Sequence, residues 1–565
     1  MPVREHEAVR IKITKSGNKI FNTIIFIIPQ KASKDKATTV ICKRILVTLK
    51  SNLINFLMPD SKIARPDSLE KKLYQLIISR LDGDRIKSVA YQRQIIKLVQ
   101  RDIGGFIIFG GKKDKAKNFI STLQSISKIP LFIASDIERG VQQQIKNTTP
   151  FPCQMAVAAA IDRKKPEDIS FLENAIKAIA DEARDIGINM PLIPVLDVNQ
   201  NPDNPIICTR AFSDNPEDVA WFGAEYIKIL EAEGLISCAK HFHGHGDTST
   251  DSHISLPVIT KSLRYLNAVD ILPFAKAVKT GVSSIMAGHL SVPALDSKPS
   301  SLSGKIITGL LRKELGFKGL ILTDALNMNA LKDFGNVPAG CLNAGFDILL
   351  HPADADLTIK ELLSAVKSKK ISEDRIDASV DRILKIKIKL QDKKPVDVNY
   401  NEHKRLSEYI TEKSITLVKI KSGILPVTKN SNVHLILAGD NKLYDSSPLK
   451  KFFKNVSAVT GMENLKNKTA IFSIFTNVAA LRGSSVITDN EKQKINKLIK
   501  KTRNSIVISF GSPYVLRHFR EADILIAAYD TTKQAQRAVM KCLRNEMEFK
   551  GRLPVNLNNR GAFEL

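Results

Sequence analysis

Long apolar runs are missing from this chain of 565 residues. No stretch approaches the ~20 consecutive apolar residues that a membrane-spanning helix needs, which argues against an integral membrane segment. Closely spaced cysteines are missing too. Cys42, Cys153, Cys208, Cys238, Cys341 and Cys542 lie far apart and none forms a C-x-x-C pair. In a chain this long they read as free thiols in a reducing compartment rather than as a disulfide framework. Aromatic residues make up only 6%, so there is no evident platform for stacking bases. A glycine-rich phosphate loop, internal repeats and low-complexity tracts are also absent.

Negative charge is scarce: 85 Lys and Arg against 58 Asp and Glu leave a formal net charge of +27. Such a balance admits a nucleic-acid or anionic-surface partner. Lysine is scattered along the whole chain, however, and no nucleic-acid motif accompanies it, so a lysine-rich solvated surface is the better reading and no nucleic-acid partner is expected. Hydrophobic and charged contents of 43% and 25% are those of an ordinary globular chain long enough for two or three domains.

The N-terminal region, residues 1–65, is basic and weakly patterned. Lys12, Lys15 and Lys19 precede the apolar run Ile20–Pro29, a faint likeness to a signal peptide. Asn22 and Thr23 interrupt that run, and no A-x-A site follows. The segment is read as a non-cleaved extension of a cytoplasmic protein, with export as the alternative.

From about residue 66 the chain alternates short apolar runs with longer amphipathic stretches. The runs are Leu76–Ile78, Gly105–Phe109, Pro130–Ala134, Leu192–Leu196, Leu235–Ala239, Ser284–Ala287, Leu320–Leu322 and Phe346–Leu350. They have the composition of strands buried on both faces. Segments such as Glu173–Ile186, Pro216–Glu233 and Ser303–Leu315 read as helices, the last with Ser301 or Ser303 as N-cap. Eight strands alternating with helices predict an α/β fold, a (β/α)8 TIM-type barrel over residues 66–391. Residues 392–408, polar and lysine-rich, read as a linker. Residues 409–565 repeat the rhythm, with strands at Val433–Leu437, Ala470–Ile474, Ser505–Ile508 and Ile524–Ala527, and predict a smaller flavodoxin-like α/β sandwich.

Chemistry concentrates where the strands end. Asp136, Asp197, Lys240, His241, His289, Asp324 and His351 each stand at or just past a run, and in a barrel those ends share one mouth. The densest stretch is Lys240–His253, with four of the ten histidines. Alternating His241, His243, His245 and Asp247 evoke a metal site. Gly244 and Gly246 argue instead for a turning loop, and the spacing matches no standard zinc motif, so no metal and no cofactor are expected. Asp251 and His253 stand two residues apart, close enough for the carboxylate to fix the imidazole tautomer and leave the other ring nitrogen for proton transfer. Lys240 and His241 face the mouth, while His243–Thr248 shapes the loop.

The stretch Lys240-His241-Phe242-His243-Gly244-His245-Gly246-Asp247-Thr248 through Asp251-Ser252-His253 resembles the signature of bacterial β-N-acetylglucosaminidases of glycoside hydrolase family three, with His243 where the family usually has proline. Gly319–Met328 is similar to the family's nucleophile segment, with Asp324 at the nucleophile position. Asn204–Phe212, Pro194–Val198, Ala287–His289 and Asp136–Gly140 also match in order, with Arg139 in place of a glycine and Gln144 where an arginine is usual. The resemblance implies a retaining exo-glycosidase acting on β-linked N-acetylglucosamine, as in peptidoglycan fragments, with Asp324 as nucleophile and His253 oriented by Asp251 as acid and base. Asp136, Arg210, Lys240 and His241 would bind sugar, and Lys240 and Arg210 would help to keep Asp324 ionised. Water or phosphate is left open as the acceptor. A β-glucosidase or β-xylosidase of the same family, and a non-catalytic glycan-binding protein, are the alternatives.

Overall fold

The computed structural model describes residues 8–11, 24–27, 63–390, 396–428, 432–459, 465–476, 478 and 487–558. It separates into two units, Met1–Ile63 and Ala64–Leu565. In the first, β1 (Ala8–Ile11) and β2 (Ile24–Ile27) pair antiparallel. The rest of the expected N-terminal extension lies outside the described residues.

In the second unit, eight strands follow in chain order: β3 (Ile77–Asp82), β4 (Gly105–Phe109), β5 (Phe132–Ser135), β6 (Met190–Pro191), β7 (Cys238–Phe242), β8 (Ser284–Ala287), β9 (Leu320–Thr323) and β10 (Leu349–Leu350). They form two parallel sheets, β10-β3-β4-β5-β6 and β7-β8-β9. Single parallel bridges join them at both ends, Val195 to Lys240 and Leu322 to Ile348. Pairing therefore returns to β3 after passing through all eight strands. The runs that lacked polar alternation are the strands buried on both faces: β5, β7, β8 and β9 are buried at every residue, as helix-covered parallel strands should be.

The helices between them are set by local signals. Pro166–Ile186 begins with proline in its first turn and ends at Gly187, whose φ of 93° suits the left-handed cap. Pro216–Ala232 is capped by Asn215, which accepts from the backbone N–H of Glu217 and Asp218. Ser303 accepts from the N–H of Ile306 at 3.1 Å and so caps the helix Lys305–Glu314.

A six-stranded sheet follows: β11 (Thr416–Lys419), β12 (Val433–Gly439), β13 (Asn455–Ala458), β14 (Thr469–Phe475), β15 (Asn504–Phe510) and β16 (Ile524–Ala527). Its order is β11-β16-β15-β14-β12-β13, parallel except for β11. Four of these strands are the expected ones. The edges β11 and β13 carry exposed or half-buried residues and so lack an apolar run. Alternate residues serve two cores. Leu435, Ile471 and Ile506 face one; Ile436, Phe472 and Val507 face the other, which also contains Cys153, Met155 and Cys208. The second face thus packs against segments that follow β5 and β6.

The expected linker 392–408 requires correction. From Tyr400 onward it is the first part of a helix, Tyr400–Ser414, capped by Asn399. Glu402, Lys404 and Arg405 lie on its exposed face. The other face buries Ser407, Ile410, Thr411 and Ser414, and His403 Nδ1 lies 2.9 Å from Glu182 Oε1. Residues 392–395 lie outside the described part.

Candidate active site

A cavity of about 630 Å³ opens where the strands end, lined by Asp136, Arg210, Lys240, His241, His253 and Asp324 among others. Every residue expected to contact sugar or reacting atoms is therefore in one place. Asp136 follows β5 directly, Lys240 and His241 lie within β7, and Asp324 follows β9. The parallel order brings them together, because each strand delivers its exit to the same rim.

One side of the cavity is an ionic cluster. Lys240 Nζ donates to Asp136 Oδ1 at 2.6 Å and to Glu138 Oε1 at 2.7 Å. Arg210 grips Glu138 with two nitrogens, Nε to Oε2 and Nη2 to Oε1, both at 2.9 Å, and Nη1 donates to the carbonyl of Ile206 at 3.0 Å. Burial opposes the charges of Glu138, Lys240 and Arg210, but their partners outweigh it. Burial would push the Glu138 carboxyl up, yet Arg210 and Lys240 hold it well below the carboxylate range. Burial would push the Lys240 ammonium down, and Asp136 and Glu138 raise it instead.

Glu138 was not expected as a site residue. Its signal was its place two residues after Asp136, but only the fold shows both cations on one carboxylate. Because the folded value is depressed, the ionised form stabilises the protein above the ordinary carboxylate value of 4.5, and this contribution is lost as pH falls through the folded value. Glu138→Gln should destabilise the protein by about 3 kcal/mol near neutral pH, since Arg210 loses its carboxylate and Lys240 loses one of its two. Urea-denaturation midpoints should show the gap to wild type narrowing below pH 4.5. A gap that widens in acid would exclude this assignment.

The floor of the histidine loop is built around Asp197, which is fully buried. Its Oδ2 lies 2.7 Å from His241 Nδ1, and its Oδ1 accepts the backbone N–H of His245 at 2.7 Å. Asp197 thus orients His241, whose Nε2 stands 3.5 Å from Arg210 Nη2. His245 turns away to Thr248 Oγ1 at 2.7 Å and Ser252 Oγ at 3.2 Å. His243 reaches Ser300 Oγ at 3.0 Å. Burial pushes the imidazoles of His243 and His245 down to about 4, so both are neutral props of the loop. The glycines are sterically required. A Cβ on Gly246 would stand 1.7 Å from the carbonyl oxygen of Val198, and Gly244 has φ +133° with Asp270 against it. Among the described residues no three His, Cys, Asp or Glu side chains converge to hold an ion.

Asp251 and His253 form a dyad at the end of this loop. The His253 backbone N–H donates to Asp251 Oδ1 at 2.9 Å, and Nδ1 lies 2.8 Å from the same oxygen. Asp251 is fully buried, whereas His253 is one-third exposed and lines the cavity. With Nδ1 held by the carboxylate, Nε2 is the atom free to exchange a proton.

Asp324 accepts the N–H of Ala325 at 2.7 Å. Burial would push its carboxyl up, but the imidazoles of His241 and His289 outweigh burial and hold it below the ordinary range. This corrects the expected role of Lys240 and Arg210 as its counter-charges. Those cations are spent on Asp136 and Glu138, and histidines with the Ala325 amide keep Asp324 ionised. His289 is positioned by Ser301 Oγ at 2.6 Å and approaches the carbonyl of Ala325 at 3.2 Å. His351 also lines the cavity, and burial pushes its imidazole down to about 4.

The six-stranded sheet reaches this site. Arg139, on the cavity wall, pairs with the buried Asp530 beyond β16, and Val478, beyond β14, lines the cavity. Asn199 Nδ2 donates to Tyr514 Oη at 3.0 Å, and Arg517 pairs with Asp203.

Comparison with known proteins follows the same outline. Residues 68–386 match the model described as the glycosyl hydrolase family 3 N-terminal domain. The chain is 35% identical over 406 residues to beta-hexosaminidase A of Pseudoalteromonas piscicida, covering 64% of this chain and 67% of that protein. It is 29% identical over 350 residues to a beta-N-acetylglucosaminidase/beta-glucosidase of Cellulomonas fimi, covering 58% and 61%. The solved glycoside hydrolase family 3 beta-N-acetylglucosaminidase of Paenibacillus sp. str. FPU-7 superposes with a TM-score of 0.75 at 28% identity, over 87% of this chain and 99% of that one.

Proposed function

The chain belongs to glycosyl hydrolase family 3, and we propose that it is a retaining exo-glycosidase releasing terminal β-linked N-acetylglucosamine, with fragments of peptidoglycan as its source. It is a glycoside hydrolase. The observation that carries the finer reading is that His253, held by Asp251, and Asp324 line one cavity. The relatives named as hexosaminidases support the choice of sugar, and the ring of parallel strands supports the (β/α)8 barrel.

In this mechanism Asp324, held ionised, attacks the anomeric carbon while His253 Nε2–H protonates the departing oxygen. The products of that step are a glycosyl ester on Asp324 and a free aglycone. His253, now neutral, removes a proton from the acceptor, which attacks the same carbon and releases Asp324. Asp251 holds the imidazole in one tautomer and balances its charge when it is protonated. Asp136, Lys240, Arg210 and His241 supply hydrogen-bond partners for the sugar hydroxyls. Cys153, Cys238, Cys341 and Cys542 are buried free thiols, which supports a reducing compartment.

The Cellulomonas fimi protein is also named as a beta-glucosidase, so the assay must separate the two sugars. The purified protein should turn over nitrophenyl β-N-acetylglucosaminide with kcat/KM well above that for nitrophenyl β-glucoside, with and without added phosphate. Preference for the glucoside would overturn the choice of sugar. No turnover of either would overturn the enzymatic reading in favour of a glycan-binding protein.

A further inference from the structure

A second cavity of about 400 Å³ lies on the six-stranded sheet's side of the molecule and shares no lining residue with the catalytic mouth. Its lining is dominated by Lys451, Lys533, Arg537, Lys541 and Arg544, with Glu546 the only acid. Four of these cations belong to a single helical stripe. Lys533, Arg537 and Lys541 are spaced four residues apart on the helix Lys533–Leu543, and Arg544 caps its end three residues later. Like charges at this spacing face each other and weaken a helix, so a bare surface gains nothing from the arrangement.

Local acids answer only part of the stripe. Lys533 pairs with Asp445 at 2.6 Å, Lys541 with Glu412, and Arg544 with Glu546. Among the described residues, Arg537 and Lys451 have no acidic partner, and both are exposed. Arg537 sits at the centre of the stripe. The positive field is therefore concentrated in the middle of a concave surface rather than spread over it.

We propose that this groove binds a linear, phosphate-bearing polyanion, with Arg537 and Lys451 as its central contacts. The stripe extends for about 17 Å, longer than one phosphate group, which points to a polymer. Nucleic acid fits less well. The groove's one aromatic ring, Phe452, is half-buried, has the Arg544 guanidinium 5.1 Å from its centroid and packs edge-on with Phe453, a poor platform for a series of stacked bases. A polymer without bases meets all the chemistry the groove offers. Binding there would tether the glycosidase to an anionic polymer through a site outside its catalytic mouth.

The test uses the full chain, with inorganic polyphosphate as the probe and titration at low and at raised ionic strength. Wild type should bind, with affinity falling as salt rises. The double variant Arg537→Glu with Lys451→Glu should bind at least about tenfold more weakly, and its log K against log salt slope should shrink by about 2. Arg537→Gln, which removes one charge without adding another, should fall between. The control reverses Lys276 and Lys279, which are exposed on the helix Ile271–Thr280 and outside the groove. It should lose less than about threefold, as expected for a change in the overall field. Thermal midpoints check that each variant is folded. No binding by wild type, or equal loss in groove and control variants, would overturn the proposal. Tighter binding of an oligothymidine than of polyphosphate would overturn it in favour of nucleic acid.

Discussion

Asp324→Asn should lower kcat by about 10⁴-fold or more while leaving KM within a few-fold of wild type. The amide has the size of the carboxylate and can still accept the N–H of Ala325, the 2.7 Å contact that fixes the side chain. The fold and the sugar contacts proposed for Asp136, Lys240 and His241 should therefore survive. What disappears is the anion that attacks carbon, a loss worth about 5.4 kcal/mol at 1.36 kcal/mol per decade. The other carboxylates of the cavity cannot replace it easily, because Asp136 and Glu138 are both bound to Lys240. Steady-state kinetics with a nitrophenyl N-acetylglucosaminide measure this directly. A fall of less than tenfold would remove Asp324 from the nucleophile's role.

His253→Ala has the second-largest expected effect, and its form depends on the leaving group. Removing a general acid and base costs about 10²- to 10⁴-fold. Nitrophenolate leaves without protonation, so the first step should remain fast with that substrate and the second should stall for lack of a base. The predicted trace is a burst of nitrophenol equal to the enzyme concentration, followed by slow turnover. Azide, a nucleophile that needs no deprotonation, should accelerate the slow phase. With an unactivated disaccharide the first step should fail as well, and no burst should appear. Asp251→Asn should act through the same imidazole and lose less than His253→Ala. Burst-free, azide-insensitive kinetics with nitrophenyl substrate would show that His253 is not the base.

Most of the strands are legible in the sequence because buried parallel strands are continuously apolar, but β6 is Met190–Pro191, just before the expected run Leu192–Leu196, and β7 runs on through Lys240 and His241 instead of ending at Ala239. The edge strands β11 and β13 are not legible, since one exposed face dilutes the pattern. The first half of Tyr400–Ser414 has the composition of a linker because its buried face is made of Ser407, Thr411 and Ser414 as much as of Ile410. In the site, the dyad was legible because Asp251 and His253 are local in sequence. Glu138 was not, because its meaning depends on Arg210 and Lys240, 72 and 102 positions later. For the same reason the counter-charges of Asp324 were misassigned: the sequence names the cations, but not which carboxylate takes them. Asp530 meets Arg139 across 391 positions, beyond any local pattern.

A covalent glycosyl ester on Asp324 is the central intermediate of the proposed mechanism. The enzyme can be quenched in acid during turnover of a fluorinated N-acetylglucosaminide that forms the ester faster than it breaks it. Peptide mass spectrometry should then find one added glycosyl unit on the peptide containing Asp324, absent from Asp324→Asn. An unlabelled protein together with product released as the α-anomer, or a label on another carboxylate, would contradict it.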